Sequence, residues 1–231
     1  MALINKLSAI GNAIREKTGK KDLLTLDQMP QEIKDIETGG GNTSIEDSLV
    51  DKTLCGSYTN NRITKVGAQS FRTTKITDFN STSVTEIETY GFFSISTLEE
   101  CNTPNVIRFS GNAIFQSCTN LKKIDFPKNT QGIGGTCFSG CTALSYANIG
   151  DCTSIAGSSF SNCSNLETLI ITRTNSVPSM SNINAFSGSA IANGTGYIYV
   201  ADNLYESYKT ATNWSTYANQ IRKLSEYEEE M

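Results

Sequence analysis

Histidine is absent from all 231 residues. That removes the commonest base for activating a nucleophile and the commonest metal ligand together. Charge is also sparse: 18% of residues are charged and the net charge is -4, below the share of an average globular domain. With no Lys/Arg stripe, the chain makes a poor nucleic-acid binder. No apolar run approaches the length a bilayer requires, so no helical membrane span is expected. The first residues, MALINKLSAIGNAIREK, lack a continuous apolar core and are interrupted by charges. They do not read as a secretory signal, and export by the standard route is not expected.

The share missing from charged and apolar residues (the latter only 38%) has gone to Ser, Thr, Asn and Gly. Short polar side chains satisfy turn backbones, which suits a β-rich chain with many tight turns. Seven cysteines are present, at 55, 101, 118, 137, 141, 152 and 163. An odd number cannot pair fully within one chain, and their spacing reads them as small buried apolar residues.

That spacing belongs to an internal repeat. A phenylalanine recurs at 71, 92, 115, 138, 160 and 186, with separations of 21, 23, 23, 22 and 26 residues. An aliphatic residue stands five before it in four copies (Val66, Ile87, Ile133, Ile155). A small or apolar residue follows by three (Ile95, Cys118, Cys141, Cys163), a leucine by six (Leu98, Leu121, Leu144, Leu166), and a further core-type residue by nine (Cys101, Ile124, Ala147, Leu169). The third copy has Ser110 where the preceding aliphatic residue is expected. The first copy is one residue shorter between Phe71 and Ile76, and the last, AFSGSAI, is degenerate. One unit of this length cannot bury its own apolar face, so stacked units must share a core. Between Leu121 and Phe126, apolar residues at 121, 124 and 126 predict a short strand with Lys123 and Asp125 pointing outward.

The copies IFQSCTNLKKIDFP, CFSGCTALSYANI and SFSNCSNLETLII, with their F-x-x-C-x-x-L core, resemble the BspA-like leucine-rich repeats of bacterial surface and phage proteins. The resemblance covers roughly residues 45 to 200. It implies a mainly β, right-handed leucine-rich-repeat solenoid with a strand-lined face, and it implies no chemistry.

The ends differ in texture. Leu3, Leu7, Ile10 and Ile14 fall on one helical stripe at heptad-like spacing. Thr25 to Gln28 reads as a capping box for a second helix, with Pro30 in its first turns. Gly39-Gly40-Gly41 then forms a flexible joint. The stretch LINKLSAIGNAIREKTGKKDLLTLDQMPQEIKDI resembles the N-terminal module of phage and prophage tail proteins, which implies attachment to a particle. The expected organisation is a helical attachment or oligomerisation module over 1–38, a Gly-rich joint and N-terminal cap over 39–60, the solenoid over 61–195, and a C-terminal cap with an acidic tail over 196–231. In that cap, Tyr197 to Val200 predicts a final strand, and Asp202 caps a helix over about 203–211. Trp214, Tyr217 and Ile221 share one helical face, and the tail EYEEEM is solvated.

No catalytic constellation emerges. Cys137 and Cys141 are four apart, but Cys141 is a ladder position and no second pair with zinc spacing follows. Gly132-Ile133-Gly134-Gly135 lacks the Lys-Ser/Thr of a phosphate loop. Acidic pairs such as Glu99-Glu100 read as solvated surface. No metal, cofactor or enzymatic role is expected. The candidate binding face is the outward grid of the stacked strands: Asp78 and Asn80, Glu100 and Asn102, Lys123 and Asp125, Tyr146 and Asn148, Thr168 and Ile170. Its Asn, Asp, Glu and Tyr suit a protein or a carbohydrate. Together with the tail-module resemblance, this predicts a phage or prophage tail fibre or receptor-binding protein, located on the virion and assembled in the bacterial cytoplasm. It would dock to other tail proteins through residues 1–38, and Leu3, Leu7, Ile10 and Ile14 would serve a homo-oligomer such as a trimer. The alternatives are a bacterial cell-surface adhesin, an interaction scaffold and a glycan-degrading tail enzyme working through carboxylates, for which no acidic cluster stands out.

Overall fold

The computed structural model describes residues 44, 45 and 54–229. By internal contacts the chain divides into two units, residues 1–42 and 43–231, and the description concerns the second. The helical stripe of Leu3, Leu7, Ile10 and Ile14 and the capping box at Thr25 lie outside the described residues.

Mainly short parallel strands and a few short helices make up the second unit. Most coils of the chain contribute to each of two ladders, and the chain beyond Met180 adds only to the larger. The larger ladder holds β2 (Cys55–Thr59), β4 (Lys75–Asn80), β6 (Glu100–Asn102), β8 (Lys123–Asp125), β9 (Tyr146–Asn148), β11 (Thr168–Ile171), β13 (Tyr197–Val200) and β14 (Ile221–Lys223), side by side in that order. The smaller ladder begins with β1 (Ser44–Ile45), β3 (Lys65–Val66), β5 (Glu86–Glu88) and β7 (Arg108–Ser110). It resumes with an Ile133 to Ile155 bridge and the pair of β10 (Ser154–Ile155) with β12 (Ser179–Met180). All these pairings are parallel, as stacked coils running in one sense require.

Every inward ladder of the repeat is buried. The six repeat phenylalanines are fully enclosed, and their rings stack in sequence at 5.3, 5.0, 5.4, 5.1 and 5.6 Å. Burial of each such ring contributes about 1.5–3 kcal/mol. Phe186 of the degenerate last copy keeps its place in this column. The third coil corrects the sequence reading. Phe109, not Ser110, fills the position before its repeat phenylalanine: it pairs with Ile87 and is buried, while Ser110 is half-buried and its hydroxyl bonds the Glu86 carboxylate. The coil is one residue longer there, and the larger ring reaches Phe126 at 4.9 Å.

The turns that carry the first five repeat phenylalanines have a conformation the sequence did not announce. The residues two before and two after the ring are left-handed: Gln69 and Thr73, Tyr90 and Ser94, Ala113 and Ser117, Thr136 and Gly140, Ser158 and Asn162. This region is costly for side chains other than Gly and Asn. Its use here is visible in the hydrogen bonds. In the first four turns, the N–H groups of both left-handed residues and of the phenylalanine between them donate to the next coil. For the turn of Phe115 these are Ala113 to Gly135 at 3.0 Å, Phe115 to Cys137 at 2.8 Å and Ser117 to Ser139 at 2.8 Å. The turn thus continues the inter-coil bonding that the strands provide elsewhere.

The C-terminal segment closes the core. A 3-10 turn at Trp214–Tyr217 sets Tyr217 edge-on to Phe186 at 5.2 Å, and the Trp214 indole N–H donates to the Pro178 carbonyl at 2.7 Å. Four expectations need correction here. Tyr197–Val200 is a strand but not the last one, because β14 adds beyond it. Ile221 lies in that strand rather than on a helical face with Trp214 and Tyr217, although all three are buried. Asp202 does not cap its own helix. The chain there runs through a 3-10 turn at Asp202–Leu204 into α1 (Tyr205–Thr210), and no side chain caps either start. Its carboxylate instead accepts from the backbone N–H and hydroxyl of Ser225, at 3.2 and 2.7 Å, in α2 (Leu224–Glu229). That serves the orphan donors of a different helix. Within the tail, Tyr227 is half-buried rather than solvated, because its ring packs on the large ladder.

Candidate binding face

Alternation along each strand sends successive side chains to opposite faces. Parallel register then aligns equivalent positions into columns. One outward column runs Asp78, Glu100, Lys123, Tyr146, Thr168. The other contains Asn80 with Asn102, and Asp125 with Asn148 and Ile170. The structure thus brings all ten predicted positions into one grid. The inward residues between them, Phe79, Cys101, Ile124, Ala147 and Leu169, are buried.

Nine of the ten are exposed or half-exposed, whereas Ile170 is buried at 5% exposure. The sheet does not end at β11. Ile170 pairs with Tyr199, itself 6% exposed, and the Tyr199 ring lies 4.9 Å from Tyr227 of α2. Tyr227 also reaches Tyr146, at 6.5 Å. The C-terminal helix therefore roofs the far end of the grid and removes Ile170 from it.

Tyr197, Tyr199 and Arg222 extend the two columns and escaped the sequence reading. The apolar alternation of Tyr197 to Val200 matches that of Thr168 to Ile171, which is the signal that the same sheet continues. Arg222 stands over the Tyr197 ring at 4.4 Å and donates to the carbonyls of Asn219 and Ile221 at 2.8 and 2.9 Å. It thereby shields the last strand edge.

The open part of the face has an electrostatic pattern of its own. Lys123 lies 4.7 Å from the Tyr146 ring centre and 3.7 Å from Asp125. Asn148 donates to Asp125 at 3.0 Å. Burial, helped by Asp125 and Tyr227, pushes the Tyr146 hydroxyl up to about 12, so it stays protonated. In contrast, the side chains of Asn80, Glu100 and Asn102 make no hydrogen bond or ion pair with described residues. Elsewhere on the coils polar side chains are tied from one coil to the next. Lys65 meets Glu88 at 2.6 Å, Lys122 meets Glu99 at 2.6 Å, and Arg173 meets Asp151 at 2.9 Å. Asn129, fully buried, bridges to the carbonyls of Gln131 and Ile149. Polar side chains without such bonds also occur off the grid, for example Gln116, Asn120 and Glu167, but only on the grid do they stand in the register of the strands.

The cysteines serve packing. Cys118, Cys141 and Cys163 donate their thiols to the carbonyls of Phe92, Phe115 and Phe138, at 2.9, 3.1 and 3.1 Å. A small side chain with a weak donor fits a core position that faces a carbonyl of the previous coil. Burial pushes these thiols far above their ordinary range, Cys118 and Cys163 to about 12. Cys55 is the correction: it is exposed, on the first strand of the large ladder. Among the described residues, no group of three or more Cys, Asp or Glu could hold a metal ion.

Repeat length, the phenylalanine column and the cysteine ladder agree with one further observation. The sequence pattern of the BspA type leucine-rich repeat region matches residues 64–193, more than half of the chain, in 6 copies. The chain belongs to the BspA-type leucine-rich repeat family. Its BspA-type repeats are an interaction architecture, in which a continuous face is assembled from equivalent positions. No curated protein matches the chain. The family match leaves residues 1–38 outside it.

Proposed function

We propose that this protein is a recognition component of a phage or prophage tail, a fibre or receptor-binding protein without catalytic activity. On this reading the right-handed solenoid contacts a protein or glycan of the host surface through its outward grid. Residues 1–38 join it to other tail proteins, with Leu3, Leu7, Ile10 and Ile14 as the oligomer stripe of a trimer or other homo-oligomer. Assembly takes place in the bacterial cytoplasm and the product resides on the virion.

The observation that carries the recognition half is the register of the outward columns, in which Asn80, Glu100 and Asn102 make no side-chain hydrogen bond or ion pair with described residues. Polar groups held in register by the strands, and without a partner among the described residues, are suited to an external one. The tail half rests on the resemblance of residues 1–38 alone. The BspA-type repeats equally support the second reading, a cell-surface adhesin or interaction scaffold.

Immunogold electron microscopy with antibody against residues 61–195, on induced cultures of the strain that carries the gene, separates the two. Gold on particle tails is the expected result. Gold confined to cell envelopes would overturn the tail reading and establish the adhesin.

A further inference from the structure

The grid has properties that narrow its partner. It is open over five adjacent strands, β2, β4, β6, β8 and β9, and α2 roofs it beyond them. Adjacent strands stand ~4.8 Å apart, so equivalent side chains recur at about the length of one hexose unit in an extended polysaccharide. The four gaps of this run span about 19 Å. No aliphatic side chain projects from the open run. Its outward residues are Ser57 and Thr59 on β2, then Asp, Asn, Glu and Lys, with Tyr146 as the one ring, beside α2. Protein interfaces depend on buried apolar and aromatic anchors at their centre, and this run has none there. Asp78, Glu100 and Asp125 face it against Lys123 and, at the start of β4, Lys75, so the run carries no excess of positive charge to hold an anionic polymer.

We infer that the open grid binds an uncharged linear polysaccharide lying across the strands, one sugar per strand, with its last sugar against Tyr146 where α2 covers the face. Asn80 and Asn102 donate to and accept from the sugar hydroxyls, Glu100 accepts from them, and the fixed spacing of the coils sets the match. Tyr146, held between Lys123 and Tyr227, supplies a ring edge and a hydroxyl at the end of the run. This inference rests on the reading that the outward face is the recognition surface.

The test uses the full chain and bacterial cells of the species that carries the gene, either intact, oxidised with periodate, or treated with protease. Binding should survive protease and be lost on periodate oxidation, which cleaves sugar diols. Size-sorted fragments of the uncharged wall polysaccharide from the same cells should then bind with affinity that rises with length and levels off at about five sugars, as the open run predicts. N80A/N102A should weaken that binding at least tenfold, and so should Y146A, with the unfolding midpoint followed through Trp214 unchanged. Binding lost to protease, binding carried by the anionic fraction, or affinity indifferent to fragment length would each overturn the inference while leaving a recognition role standing. Absence of binding to untreated cells would overturn both.

Discussion

A rise in pH from 8 to 10 should destabilise the repeat array steeply, because six thiols are sealed in its core. Cys101, Cys118, Cys137, Cys141, Cys152 and Cys163 are all buried, and none is in a disulfide. Burial disfavours the thiolate. It pushes Cys101, Cys118, Cys137 and Cys163 to about 12 and Cys152 to about 11, from an ordinary value of 9.0, and it raises Cys141 strongly as well. In the folded protein these groups remain protonated at pH 10, while in the unfolded chain most have ionised. The folded value is the higher one, so the contribution to stability is complete below pH 9 and is lost as pH climbs toward 12. At pH 10 each thiol costs between about 1 and 2 kcal/mol relative to pH 8. Six together amount to about 8 kcal/mol, comparable with the whole stability of a typical domain, ~5–15 kcal/mol. Urea denaturation under a reductant, followed through the single buried Trp214, should show the midpoint falling by about 3 M over this interval, for a denaturant slope of ~3 kcal/mol/M. Replacing Cys141 by serine should keep a donor for the Phe115 carbonyl and lower the pH dependence by about one sixth. A midpoint that stays constant between pH 8 and 10 would refute the argument.

Two further outcomes follow from the same core. A thiol reagent at neutral pH should modify Cys55 quickly and the other six cysteines only on unfolding; a second fast-reacting thiol would contradict the packing. The left-handed turns give a paired test at equivalent positions of adjacent coils, Ser117 with φ 62° and Gly140 with φ 76°. A side chain in this region costs ~1–2 kcal/mol, and glycine loses ~0.5–1 kcal/mol of that advantage through its freer unfolded chain. S117G should therefore stabilise by about 0.5–1 kcal/mol and G140A should destabilise by a similar amount. A Cβ at Gly140 meets nothing closer than 3.7 Å, so crowding does not confuse the result. The double variant should return near the starting midpoint, and a destabilising S117G would show that the serine side chain has a role of its own.

Much of the fold was legible because a repeat is a local rule applied many times. The spacing of phenylalanine, cysteine and leucine determined which residues face inward. Alternation along each short strand then determined which face outward, from Asp78 to Thr168, without knowledge of any distant contact. Parallel stacking of near-equal units leaves little choice of register. The left-handed turns were not legible, since they are occupied by Gln, Thr, Tyr, Ser and Ala rather than by a run of glycine. There, hydrogen bonds to the next coil override local preference. Phe109 replaced Ser110 because a larger ring could reach Phe126 across coils, a matter of packing rather than of period.

The ends of the array show the same division. The sequence alone placed a closing cap after the last repeat, over 196–231, and the structure sets its Trp214 and Tyr217 against Phe186. Only the tertiary structure decided that the sheet runs on through Tyr199 and Arg222, that Asp202 serves Ser225, and that Tyr227 roofs the grid and buries Ile170. Each of those depends on a contact between segments with different local patterns. Such contacts are set by which surfaces meet when the chain closes on itself, and no period along the chain encodes them.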